Sequence, residues 1–222
     1  MKSAAIVGLV DVKAVNRELR SSFWPSLRDV GFAARTERIA WRSWPGGVEL
    51  IELQSVGSHA DAVGCTPYSF DARIASVPQF LDDSGTWTQR ADLARPHYWD
   101  CPLMRGLHKT ISQPWFTPFS RPPSQTSPLS FRLHREALMR VLRRDVHDRP
   151  DVWFVRKDGT NLVEVVADLR SVFLSEGLAT LEQWRDPCAV IAQVRAGALS
   201  FGPDSPVAQR VVDSARRVCP DG

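Results

Sequence analysis

His97, Cys101 and His108 are the nearest this sequence comes to a metal-ligand set, because imidazole and thiolate suit zinc. Their spacings of four and seven residues match no standard ligand pair, and a fourth ligand would have to come from elsewhere. A buried loop cysteine between two solvent-facing histidines accounts for the pattern without a metal, so neither metal nor cofactor is expected. Glu49, Glu52, Asp71 and Arg73 form a second group. They could converge on one sheet face as acid–base pairs, although polar strand residues are more often the wet side of a sheet or cross-strand ion pairs. The serines lack a GxSxG elbow and no glycine-rich phosphate loop is present, so nucleophilic and phosphoryl-transfer chemistry lack their usual devices. No catalytic residue is assigned, and the balance leans away from an enzyme.

Binding residues are easier to nominate. Trp41 and Trp44 sit on one strand pattern, and Trp87, Trp99 and Trp115 punctuate the segment that follows. Indoles that line one concavity would make a ligand or partner surface; otherwise they plug the core. The candidate binding set is Trp41, Glu52, Gln54, Arg73, Trp99, Arg105 and Trp115. A second surface is basic. Arg132, Arg135, Arg140, Arg143, Arg144 and Arg149 face only Glu136, Asp145 and Asp148, a local charge of +3 that equals the net charge of the whole chain. An arginine-rich helix beside Trp115-Phe116 would hold nucleic acid through phosphate contacts and stacking. The excess is narrow for such a footprint, and a solvated helix with paired arginines fits equally well.

These residues must be positioned by the elements around them. Asp11 can cap a helix whose apolar residues Val12, Val15, Leu19, Phe23, Leu27 and Val30 recur at helical spacing, with Pro25 kinking it and Gly31 ending it. Strands are expected over 38–44, 48–56 and 68–77, the first two joined at Pro45-Gly46-Gly47. Ile39 and Trp41 alternate with arginines, and Phe70, Ala72 and Ile74 alternate with Asp71 and Arg73, as in half-buried strands. Leu50, Ile51 and Leu53 occupy both faces, which places the middle strand centrally. Placing Pro45-Gly46 at the centre of a two-residue turn pairs Arg42 with Glu49 across an exposed face.

Residues 81–128 are rich in turn formers and end in five prolines, reading as a long loop or linker. A basic helix over 131–146 and a short strand over 151–156 follow. Asn161 and Glu164 then have capping-box spacing ahead of Leu162, Val165, Val166, Leu169, Val172 and Phe173, with Gly177 as the stop. A short helix carrying Leu181 and Trp184, a helix opened by Asp186-Pro187, and a last helix opened by Ser205-Pro206 complete the pattern. Helix, meander, then helices describe an α+β fold: an N-terminal helix, an antiparallel β-meander, and a mostly helical C-terminal half packed against it. A single domain over 1–222 is expected, with 12–128 holding helix, sheet and Pro-rich loop and 129–222 the helical half.

At 43% hydrophobic and 24% charged residues, composition is that of a globular protein. A net charge of +3 is too small to imply nucleic acid by itself. Cys65, Cys101, Cys188 and Cys219 are scattered with no CxxC pair, which fits idle thiols in a reducing cytosol. The apolar run in residues 1–10 is short for a signal peptide, and no run reaches the roughly 20 residues of a membrane span. A cytoplasmic location is therefore expected.

Three short motifs carry a resemblance: Leu27-Arg28-Asp29-Val30-Gly31-Phe32 with the strand Leu50-Ile51-Glu52-Leu53-Gln54; Cys101 with Arg105 and Leu107; and Asp158-Gly159-Thr160-Asn161-Leu162 running on to Trp184-Arg185-Asp186-Pro187. Over most of residues 12–195 the chain resembles an uncharacterised bacterial family known only as a domain of unknown function. Pro102 stands where that family tends to carry a histidine, which weakens metal or thiol chemistry there. The resemblance implies no activity. What remains is a non-catalytic protein-interaction module, linked to defence or immunity, with another protein as partner and no membrane; the alternatives are a nucleic-acid-binding protein through the arginine-rich helix of 132–149 and an enzyme with a site on the sheet face or near Cys101.

Overall fold

The helix that opens the described chain is made by its apolar spacing and bent by its proline. In this computed structural model, which describes residues 10–57, 60, 65–81, 96–111, 113 and 149–219, the side chain of Asp11 accepts from the Ala14 amide at 2.8 Å and starts α1 (Val12–Glu18). Pro25 has no N–H, and its ring would strike a carbonyl of the preceding turn. The helix answers by widening Leu19–Phe23 into a π turn before α2 (Trp24–Asp29) resumes with Pro25 in its first turn. Val15, Leu19, Phe23 and Leu27 are wholly buried along one stripe. Gly31, at φ 92°, then ends the helix.

The sheet is antiparallel, in the order β1 (Ala34–Arg35), β2 (Ile39–Trp44), β3 (Gly47–Ser55), β4 (Phe70–Pro78), β5 (Leu103–Gly106), with β6 (Val152–Trp153) also paired to β4. The β2–β3 hairpin turns on Pro45-Gly46, with Trp44 opposite Gly47 and Arg42 opposite Glu49. Gly47 is required there: its φ is 150°, and a Cβ would lie 2.2 Å from the Val77 carbonyl oxygen. Pleating sends Ala40, Ile51, Leu53, Ala72 and Ile74 to an inner face that joins the helices in the main core. Leu50, Ala75 and Val77 point to the outer face and pack with Cys101 under Trp41, Tyr98 and Met104.

The C-terminal half lies on the inner face. α3 (Leu162–Val172) runs through a second π turn, Phe173–Gly177, into α4 (Leu178–Gln183). Gly177 is therefore mid-helix at φ −62° and does not stop it; without a Cβ it lets the ring of Phe173 lie close, where a Cβ would meet Cδ2 at 2.9 Å. Val165, Val166, Leu169 and Phe173 are all fully buried. The expected capping box does not form. Asn161 caps nothing with its side chain; it reaches back instead, its Oδ1 accepting from the Arg156 amide and its Nδ2 donating to the Phe154 carbonyl, each at 2.8 Å. α5 (Pro187–Arg195) and α6 (Pro206–Arg216) start on Asp186 and Ser205 as N-caps, each with Pro in the first turn.

Two further expectations are corrected. The segment 81–128 is not all loop, since it contains β5. Cys188 and Cys219 are joined in a disulfide rather than idle, because the packing of α5 against α6 brings their Cα atoms to 5.6 Å. A separation of 31 residues gives no such hint in sequence. The basic segment 131–146 and Trp87 lie outside the described residues. No described helix is long and apolar enough to cross a membrane.

Candidate functional site

Strand alternation decides which candidate residues can meet. In β3 and β4 the register pairs Glu52 with Arg73 and Gln54 with Asp71, and these four share the outer face with Trp41. Glu49 does not join them. It is an odd number of residues from Glu52, so the pleat sends it to the inner face.

The segment before β5 folds over this outer face as a single 3₁₀ turn, Tyr98–Asp100. The Tyr98 amide donates to Glu52 Oε2 at 3.2 Å. His97 Nδ1 lies 3.4 Å from the same oxygen but outside hydrogen-bonding geometry. The Arg73 guanidinium sits 4.5 Å above the Tyr98 ring and 3.3 Å from Asp71 Oδ2. His97 and Trp99 stack with centroids 4.3 Å apart and planes 6° apart, while Trp99 stays 54% exposed. This is an unusual place to leave an indole. It is ordered by an imidazole on one side and Tyr98 on another, yet more than half of it faces solvent.

Beside this face the pairing partner of β4 changes. β6 pairs with Phe70 and Asp71, and β5 with Arg73 onward. A cleft of about 490 Å³ opens at the change, lined by Asp71, Arg73, Met104, Arg105, Gly106, His108, Asp151 and Ser200 among others. Its charges are mostly answered from within: Arg73 by Asp71, Arg149 by Asp151, and Arg105 by Glu176 of the second π turn. Burial is the chief reason the Asp71 carboxyl titrates above the usual range, with Arg73 opposing it. For Asp151 burial is again the largest single influence and pushes the same way, but the hydrogen bond and the charge of Arg149, with smaller help from a backbone hydrogen bond and His108, together outweigh it and hold the carboxyl below the usual range.

The geometry does not assemble catalysis at Cys101. Its thiol is buried, donates to the His97 carbonyl at 3.4 Å, and is pushed up chiefly by that burial, then by Asp100 and Glu52; the nucleophilic or metal-binding thiolate is disfavoured. His108 is apart from it, at the cleft. Among the described residues no three His, Cys, Asp or Glu side chains come together as a metal site.

Of the seven nominated binding residues, Trp41, Glu52, Gln54, Arg73 and Trp99 belong to the outer face. Arg105 belongs to the inner face beside Glu176 and reaches the cleft from there. Trp115, and Arg132, Arg135, Arg140, Arg143 and Arg144 of the nucleic-acid alternative, lie outside the described residues. Asp151 and Ser200 carry no signal in the sequence, since only the placement of β5 and β6 along β4 makes them neighbours of Arg73. Compared with family models, curated proteins and solved structures, the chain gives no significant match.

Proposed function

We propose that the chain is a non-catalytic protein-interaction module that docks its partner on the outer face of the sheet, around Trp99. The observation that carries this is the indole itself: a large aromatic, 54% exposed and held in one orientation by its stack on His97. Rigid tryptophans lose little conformational freedom on contact and are enriched among residues that dominate binding energy. Arg73 over Tyr98 and the half-buried Trp41 extend the same face. The disfavoured thiolate of Cys101 supports binding rather than reaction.

The resemblance to a bacterial domain family supplies no activity, and the link to defence or immunity rests on the small fold and its lack of recognisable catalytic devices. The cytoplasmic placement expected from idle cysteines loses its main support, because a Cys188–Cys219 disulfide fits an oxidising compartment better. The test is affinity capture from the native source with the immobilised chain, wild type beside Trp99→Ala. A protein retained by wild type and lost by Trp99→Ala, with both chains melting alike, supports the reading. Equal retention by both chains overturns it.

A further inference from the structure

The parity of hydrogen bonding along β5 shows that, among the described residues, the side of this strand away from β4 has no strand partner. Ala72 and Leu107 continue the β4–β5 register, and the Leu107 amide donates to the Ala72 carbonyl at 2.9 Å. In an antiparallel ladder the residues that exchange such bonds alternate, so Leu103 and Arg105 also turn their backbone groups toward β4. Met104 and Gly106 turn theirs away. Ser200 Oγ, which donates to the Met104 carbonyl from outside the sheet, agrees with this assignment. The Met104 amide and both backbone groups of Gly106 are left without a backbone partner among the described residues. They border the 490 Å³ cleft, where Gly106 has open space around it.

An unpaired edge is a template for another strand, and proteins usually blunt it with proline, a bulge or an inward charge. Arg105 is one inward charge on this strand, answered by Glu176, and neither a proline nor a bulge stands in Leu103–Gly106. We infer that β5 binds an extended peptide segment by strand addition, with its backbone paired to Gly106 and its side chains reading the cleft. The lining presents carboxylates, Asp71 and Asp151, alongside guanidiniums, Arg73 and Arg105. Because these charges are paired within the protein, its complement is a polar segment of little net charge, rather than a uniformly acidic or basic one. Ser200, Pro150 and Asp151 also line the cleft beside this edge, which suits a slender single strand. A second copy of this chain would have to bring its own flanking residues into the same space. Main-chain pairing gives such complexes affinity and the alternate side chains give specificity.

This inference rests on the proposal that the chain binds another protein, and its test separates the two. Peptides selected from a random display library against the full chain are measured on wild type, Gly106→Ala and Gly106→Pro. The alanine keeps the amide, whereas proline removes only an outward N–H and leaves the ladder to β4 intact. The expected result is equal binding to wild type and Gly106→Ala, and binding about tenfold weaker to Gly106→Pro, as the loss of one hydrogen bond predicts. Slowed hydrogen exchange of the Met104 and Gly106 amides in the wild-type complex is also expected, and it reads the same contact should the proline variant fold poorly. Failure to select any peptide, equal binding to Gly106→Pro, unchanged exchange at these amides, or self-association through β5 would overturn it. If Trp99→Ala loses the captured partner while Gly106→Pro binds peptide like wild type, strand addition falls and the interaction module stands. If peptide pairs at Gly106 while capture does not depend on Trp99, strand addition stands and docking around Trp99 falls.

Discussion

Glu49 and Arg185 lie 136 residues apart in the chain and meet in two hydrogen bonds, at 2.7 and 3.1 Å, that tie the β2–β3 hairpin to the end of α4. Glu49 is fully buried, and Arg42 closes on its other side at 2.6 Å. Arg42 also donates to the Val30 carbonyl and lies over Phe32, while Arg185 lies over Trp44. One carboxylate thus holds the end of the first helix, the hairpin and the C-terminal helices together. Hairpin register alone predicts an exposed Arg42–Glu49 pair worth little; the pair is buried because the C-terminal half covers that end of the inner face.

Removing a partner from a buried pair leaves an uncompensated charge, so Glu49→Ala is expected to cost about 3–5 kcal/mol. Arg185→Ala leaves Arg42 in place and should cost nearer 1.5–3 kcal/mol, the range of a hydrogen bond to a charged group. Urea melts of the two variants give the comparison. Equal, small losses would show that the cluster is not central.

The hairpin shows what the sequence makes legible. Pro45-Gly46 between alternating strands sets the register without knowledge of the rest of the chain, and period-two alternation puts Trp41, Glu52, Gln54 and Arg73 on one face. Arg185 reaching Glu49 was not legible, since only tertiary packing joins them. β5 has four residues and β6 two, too short for periodicity to stand out from loop, so the cleft they frame was hidden too. Asn161 misled for another reason. An asparagine ahead of an apolar run is the usual helix start, and nothing local shows that Phe154 and Arg156 lie within reach of its side chain.

That revised role changes the expected cost. Asn161→Ala removes two hydrogen bonds, one to the Arg156 amide and one to the Phe154 carbonyl, which keeps Gln113 Nε2 at 3.1 Å, at about 0.5–1.5 kcal/mol for each, where a lost cap would cost about 1 kcal/mol. Leu169→Ala and Phe173→Ala are expected to cost about 2–5 kcal/mol each through the cavities they leave. Chemical denaturation should therefore place Asn161→Ala between a lost cap and the core variants.

The disulfide closes a loop of 31 residues, so reduction or Cys219→Ser should destabilise by about 3–4 kcal/mol on the loop-entropy account. Thiol titration adds a second check. The non-reduced chain should yield two thiols on denaturation, Cys65 and Cys101, and almost none when native. Both are buried, and burial pushes the Cys65 thiol up to about 12 against the opposing pull of Arg156 and Lys157. Four titratable thiols in the non-reduced, denatured chain would contradict the pairing.

Asp71 and Asp151 should act oppositely with pH. The Asp71 carboxyl is raised in the fold, so its favourable contribution is present below the ordinary aspartate range and is lost as pH rises through its folded value. Asp151 is lowered; its contribution is present above the ordinary range and is lost as pH falls through its folded value. Asp71→Asn should therefore be tolerated or stabilising at neutral pH, and Asp151→Asn destabilising there. Side-chain carboxyl titrations by NMR, with melts of both variants at pH 7, would show the signs directly.

The central claim, that a partner docks on the outer face of the sheet, is tested most directly by photo-crosslinking from two positions. A benzophenone amino acid replaces Trp99 in one chain and Val163 in another, the latter 67% exposed on α3 in the helical layer. The account predicts that one protein of the native source crosslinks from position 99 and not from position 163. A partner crosslinked from position 163 and absent from position 99 would contradict it.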